Sequence, residues 1–85
     1  MKHAGPAALD ALEPLLAELR SAPGLVENAR GVFYQKGRAF LHFHEDPKGL
    51  FADIRNENGG DFDRIEVTAA ETWPGLLALA RRRAL

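Results

Sequence analysis

At Gly31 the apolar pattern of this chain changes its period, and that change limits the folds open to it. Before it, Leu9, Leu12, Leu15, Leu16 and Leu19 recur at helical spacing and draw a single apolar stripe. After it, Val32-Phe33-Tyr34 and residues 39–45 follow the period of two that a strand imposes. A helix with one apolar side and strands with one apolar face bury both only by stacking in layers. The pattern therefore predicts a two-layer α+β domain.

Turn residues divide the rest. Asp10 with Glu13 has the form of a capping box, and Pro14 would follow in the first turn, so the first helix is predicted over about residues 11–21. Pro23-Gly24 ends it, and residues 1–6 read as a loose N-terminus. Strands are expected at 32–34, 39–45, 50–55 and 62–67, joined by Lys36-Gly37, by Asp46-Pro47-Lys48-Gly49 and by the longer turn 56–60. Thr68 with Glu71, or Thr72 before Trp73-Pro74, would cap a closing helix whose apolar side is Leu76, Leu77, Leu79 and Ala80. Arg81, Arg82 and Arg83 fall in its last turn and are expected to face water. The expected order is α-β-β-β-β-α in one domain over 1–85, a four-stranded antiparallel meander with both helices on one face.

Composition narrows the function classes. Eleven Lys and Arg against twelve Asp and Glu leave a net charge of −1, which disfavours nucleic acid as a partner. The absence of cysteine excludes disulfides, thiolate zinc fingers and a cysteine nucleophile. No apolar run reaches a membrane span, and Asp10 and Glu13 interrupt what a signal peptide would need, so a cytoplasmic location is expected.

Register decides what the sheet displays. A four-residue loop at 46–49 pairs Glu45 with Leu50, His42 with Asp53 and Leu41 with Ile54. Leu41, Phe43, Leu50, Ala52 and Ile54 then share the core face, joined by Val32 and Tyr34. Phe33, Phe40, His42, His44, Phe51, Asp53 and Arg55 are placed on the opposite face, as a surface for a small ligand or a second copy of the chain. His42 and His44 point the same way from one strand, and Asp53 across from them would complete two histidines and a carboxylate. An exposed His pair with a cross-strand His–Asp contact is the expected reading, with no metal or other cofactor and no catalytic residue assigned. Ser21 is the only serine and has no base beside it, and Gly59-Gly60 reads as a turn rather than a phosphate loop.

Pro23-Gly24-Leu25-Val26, Gly31-Val32-Phe33-Tyr34, Gly37-Arg38, His42-Phe43-His44 and Ala52-Asp53-Ile54 resemble a small family of uncharacterised bacterial proteins of about this length. The same stretch is similar, more loosely, to the luciferase-like domain family and, more distantly, to the YjbR-like group of a helix followed by a meander. The downstream His-rich and Ser-Gly-Trp segments of the luciferase-like family have no counterpart here. The resemblance therefore implies the order of elements and no activity. The function expected from these residues is a small binding or interaction module using the Phe/His/Asp/Arg face. The alternative is a small metal-dependent enzyme with His42, His44 and Asp53 as ligands.

Overall fold

The computed structural model describes residues 1–84 and is α+β, with an N-terminal helix, an antiparallel sheet and a C-terminal helix. The elements run β1 (Lys2–His3), α1 (Pro6–Arg20), β2 (Val26–Ala29), β3 (Val32–Gln35), β4 (Arg38–Asp46), β5 (Gly49–Arg55), β6 (Phe62–Glu66), a 3-10 turn (Ala70–Thr72) and α2 (Trp73–Ala84). β2 to β6 lie in sequence order, and β1 pairs with the second half of β4, on the flank that β3 leaves free. The sheet thus has six strands where the apolar pattern predicts four. The two additions are short and largely exposed, so burial left no alternation in them to read.

The register of β4 on β5 is the predicted one: Leu41 faces Ile54, His42 faces Asp53 and Glu45 faces Leu50. Leu16, Leu19, Leu41, Phe43, Ile54, Val67 and Leu77 are buried in one core beneath both helices. Lys36 and Gly37 both take positive φ, 52° and 77°, the geometry of the two-residue hairpin turn expected there. Among the described residues no helix is long and apolar enough to cross a membrane.

Three readings are corrected. α1 begins at Pro6 behind Gly5 with no side-chain cap, because proline at the first helical position needs no hydrogen-bond partner for its nitrogen. Asp10 and Glu13 therefore lie inside the helix and face Arg30 instead of capping it, and Pro14 stands mid-helix on an exposed position. Second, β3 and β4 slip between Phe33 and Tyr34, so that Phe33 pairs with Leu41, Tyr34 with Ala39, and Phe40 is left as the bulged residue. Phe33 consequently faces the core while Val32, opposite His42, takes the open face. Phe40 is drawn into the core as well, leaving only Phe51 of the three expected surface phenylalanines outside it. Third, Arg83 does not face water. Its side chain is only 13% exposed and its Nη1 meets Asp63 Oδ2 at 2.9 Å, pinning α2 to β6.

The far side of α1 is tied to β2 by charge. Glu13 accepts from Arg20 and, at 2.8 Å, from Arg30, while Arg20 also reaches Glu27. Glu27 Oε2 in turn accepts from the Gly31 amide at 2.8 Å. The Arg20 guanidinium, with Arg30 behind it, lowers the Glu13 carboxyl from 4.5 to about 2. A carboxyl lowered by folding adds stability above its unfolded value and loses it as the proton returns. The acid limb of the stability curve should therefore carry a Glu13 component between pH 4.5 and about 2. Urea melts across that window should show it shrink in Glu13→Gln and in high salt, which screens surface charge. An acid limb identical in the variant would remove Glu13 from the account.

Candidate metal centre on the open sheet face

Alternation along β4 sends His42 and His44 to the face that the helices leave open, and the β4–β5 register sets Asp53 directly across from His42. His44 Nε2 lies 3.2 Å from Asp53 Oδ2, and His42 Nε2 lies 3.7 Å from the same oxygen. One ligand atom from each of the three residues falls within 4.8 Å of the other two. The side chains are 18%, 12% and 10% exposed for His42, His44 and Asp53, so the group is largely withdrawn from water.

Asp53 is a buried charged residue, and a buried charge needs a partner. Arg64, its pairing partner on β6, supplies one with a two-pronged contact: Nε donates to Oδ1 and Nη2 to Oδ2, each at 2.8 Å. That fork is the main reason the Asp53 carboxyl sits below the ordinary carboxylate range, against the opposing effect of burial. His42 is shifted the other way from what a neighbouring carboxylate alone would do. Burial, followed by the charge on His44, holds its proton affinity below that of free imidazole. A neutral imidazole is the form that can ligate a metal.

His3 completes the cluster. The chain has three histidines, and β1 brings the third to the other two. Its ring stacks on His44 at 4.7 Å between centroids and lies 5.7 Å from His42. Phe62 from β6 meets the His42 ring edge-on at 5.1 Å. Beneath this cover, His44 Nδ1 is buried and has no hydrogen-bond partner. A buried nitrogen left unpaired in a native fold calls for a water, an ion or a ligand.

Of the residues read from the sequence, His42, His44, Asp53 and Phe51 share this face as expected, and Phe33 and Phe40 do not. Arg55 shares the face but is committed elsewhere. Its Nε donates to Ala39 O at 2.7 Å, its Nη1 to Gly59 O at 2.8 Å, and its guanidinium rests on the Phe62 ring. Glu45 and Asp46 are engaged elsewhere: Glu45 accepts from the Gly5 amide and Asp46 from the Lys48 amide in the turn. Arg64 and His3 were missed. Extending the strand register across the 56–61 loop would have placed Arg64 against Asp53, whereas nothing in a two-residue strand announces His3.

A scan against protein-family models, a search of curated proteins and a search of solved structures each found no match to this chain.

Proposed function

We propose that this protein is a small metal-binding module whose working surface is the open sheet face, with His42, His44 and Asp53 holding a borderline divalent ion such as zinc. The observation that carries the reading is the spacing of the donor atoms. Ligands about 2.0–2.1 Å from a tetrahedral zinc stand roughly 3.3 Å from one another. The separations of 3.2 and 3.7 Å from Asp53 Oδ2 to the two imidazole nitrogens bracket that value. Two imidazoles and one carboxylate form a donor set that suits zinc and its neighbours and that hard ions such as magnesium use poorly. The Arg64 fork takes one lone pair on each Asp53 oxygen and leaves the other available, so the guanidinium weakens the site without filling it.

Three protein ligands leave a fourth position, and this favours one further reading, metal-dependent catalysis on a water or substrate held there. A hydrolysis assay on the zinc-loaded chain separates an enzyme from a binding module.

The primary test is thermal. A ligand bound only by the folded state stabilises it by about 2.7 kcal/mol at 100 times its dissociation constant. For a domain of this size that is roughly 10–20 °C in Tm. Zinc at 100 times its dissociation constant should raise the parent's Tm by this order, the rise growing with the logarithm of zinc concentration and being lost in His42→Ala and in Asp53→Asn. Arg64→Gln should bind more tightly than the parent, because the cation competing for Asp53 is gone. A parent whose melting is indifferent to zinc, cobalt and nickel would reduce the cluster to a packed His–Asp–Arg contact.

A further inference from the structure

At the opposite end of the sheet from β1, two adjoining cavities of about 260 and 280 Å3 open between the β3–β4 turn, the loop after β5 and the end of α2. Their walls carry Lys36, Arg38, Arg55, Arg82 and Arg83, five of the chain's eleven Lys and Arg, in a protein whose net charge is −1. Glu57 is the one acidic residue in these walls, and its carboxylate is 3.8 Å from both Arg82 and Arg83. Among the described residues, Lys36, Arg38 and Arg55 make no ion pair. Arg83 is also paired with Asp63 at 2.9 Å, so the uncancelled positive charge of the walls is that of Lys36, Arg38 and Arg55.

Arg38 and Arg55 are also held in place by neutral groups. Arg38 Nη2 and Arg55 Nη1 both donate to Gly59 O, at 2.7 and 2.8 Å, and Arg55 Nε donates to Ala39 O. Main-chain carbonyls fix the two guanidiniums without neutralising them, which leaves both charged and with N–H groups to spare. Two buried polar atoms of the wall lack partners: Arg83 Nε, a donor, and Asn56 Oδ1, an acceptor. The ligand that suits such a wall both accepts and donates. Phe40, turned inward by the bulge, supplies an apolar floor.

We infer that this cleft binds a small phosphate monoester that also carries a hydroxyl group, its phosphate on Arg38, Arg55 and Arg83 and its hydroxyl donating to Asn56. Guanidiniums match tetrahedral oxyanions in pairs, and the surplus of positive charge fits a dianion better than a single carboxylate. The site lies at the other end of the strands from the histidine cluster and requires no metal.

The test uses the full chain with a chelator present and follows its backbone amides by NMR during titration. Glycerol 3-phosphate is the probe, with inorganic phosphate, glycerol and sodium chloride at matched ionic strength beside it. Saturable shifts confined to the amides of residues 35–40, 55–59 and 81–84 are expected with the ester, weaker ones with phosphate, and none with glycerol or chloride. Arg38→Gln should weaken the ester at least tenfold. Arg38 is exposed and Arg55 grips the same carbonyl, so the variant keeps its fold, which its unshifted amides elsewhere will verify. Glu57→Gln should tighten binding. A response that never saturates, or one that Arg38→Gln leaves unchanged, would overturn the site. Inorganic phosphate binding as tightly as the ester would overturn the hydroxyl contact.

Discussion

Phe40→Asp should leave this chain without a cooperative unfolding transition, whereas Phe51→Asp should keep one. Phe40 is 3% exposed within the core cluster, and Phe51 is half-buried on the open face between His44 and Glu66. Truncating a buried phenylalanine costs about 3–5 kcal/mol, and burying a carboxylate among apolar groups adds several more before it protonates. A chain of 85 residues has of the order of 4–13 kcal/mol of stability in total. The first substitution consumes most or all of that. The second removes part of one aromatic contact at a surface where water can reach the new charge, and about 1 kcal/mol is expected. Urea melts followed by circular dichroism distinguish the two. A Phe40→Asp chain that melts like its parent would return Phe40 to the surface and restore an aromatic face for self-association.

Gly49→Ala should be the most damaging single methyl in the molecule. Gly49 opens β5 at a φ of +147°, where side chains are strained whatever the space. An added Cβ would also stand 2.2 Å from Thr68 Oγ1 and 3.2 Å from Glu66 Oε2. That hydroxyl accepts from the Leu50 amide and donates to Glu66, both at 2.9 Å, joining the start of β5 to the chain leaving β6. Backbone strain of about 1–3 kcal/mol and two displaced hydrogen bonds near 1 kcal/mol each add to about 3–5 kcal/mol. Gly60→Ala is the control, since nothing lies within 4 Å of its Cβ position and it needs no positive φ. Adding Thr68→Ala should relieve the clash and leave the φ strain, so the double variant should be less unstable than the sum of the singles. Additive losses would place the whole cost in the backbone.

The candidate metal centre shows where sequence reasoning reaches. His42, His44 and Asp53 could be placed together because an H-x-H pair obeys strand alternation and a four-residue turn determines the pairing beyond it. Arg64 was within reach by the same arithmetic, carried one strand further. His3 was not, because the contact that brings it in is a two-residue strand formed against the exposed half of β4's flank. The arginine-lined cleft was hidden for a related reason. Arg38, Arg55 and Arg83 are far apart in the chain, and only the closing of α2 over the β3–β4 turn assembles them.

Taken alone, the sequence determined the layers, the helix faces, the Lys36-Gly37 turn and the β4–β5 register. Each follows from a local rule: a period of apolar residues, a positive φ, or a loop length that admits one pairing. Only the tertiary structure decided which of Phe33 and Val32 enters the core, because a one-residue bulge at Phe40 exchanges every face of β3 without altering its composition. It also decided that Arg64 neutralises Asp53 and that Arg83 is buried against Asp63. These outcomes depend on distances between elements remote in the chain, where the burial of one large ring or the pairing of one charge outweighs any local preference.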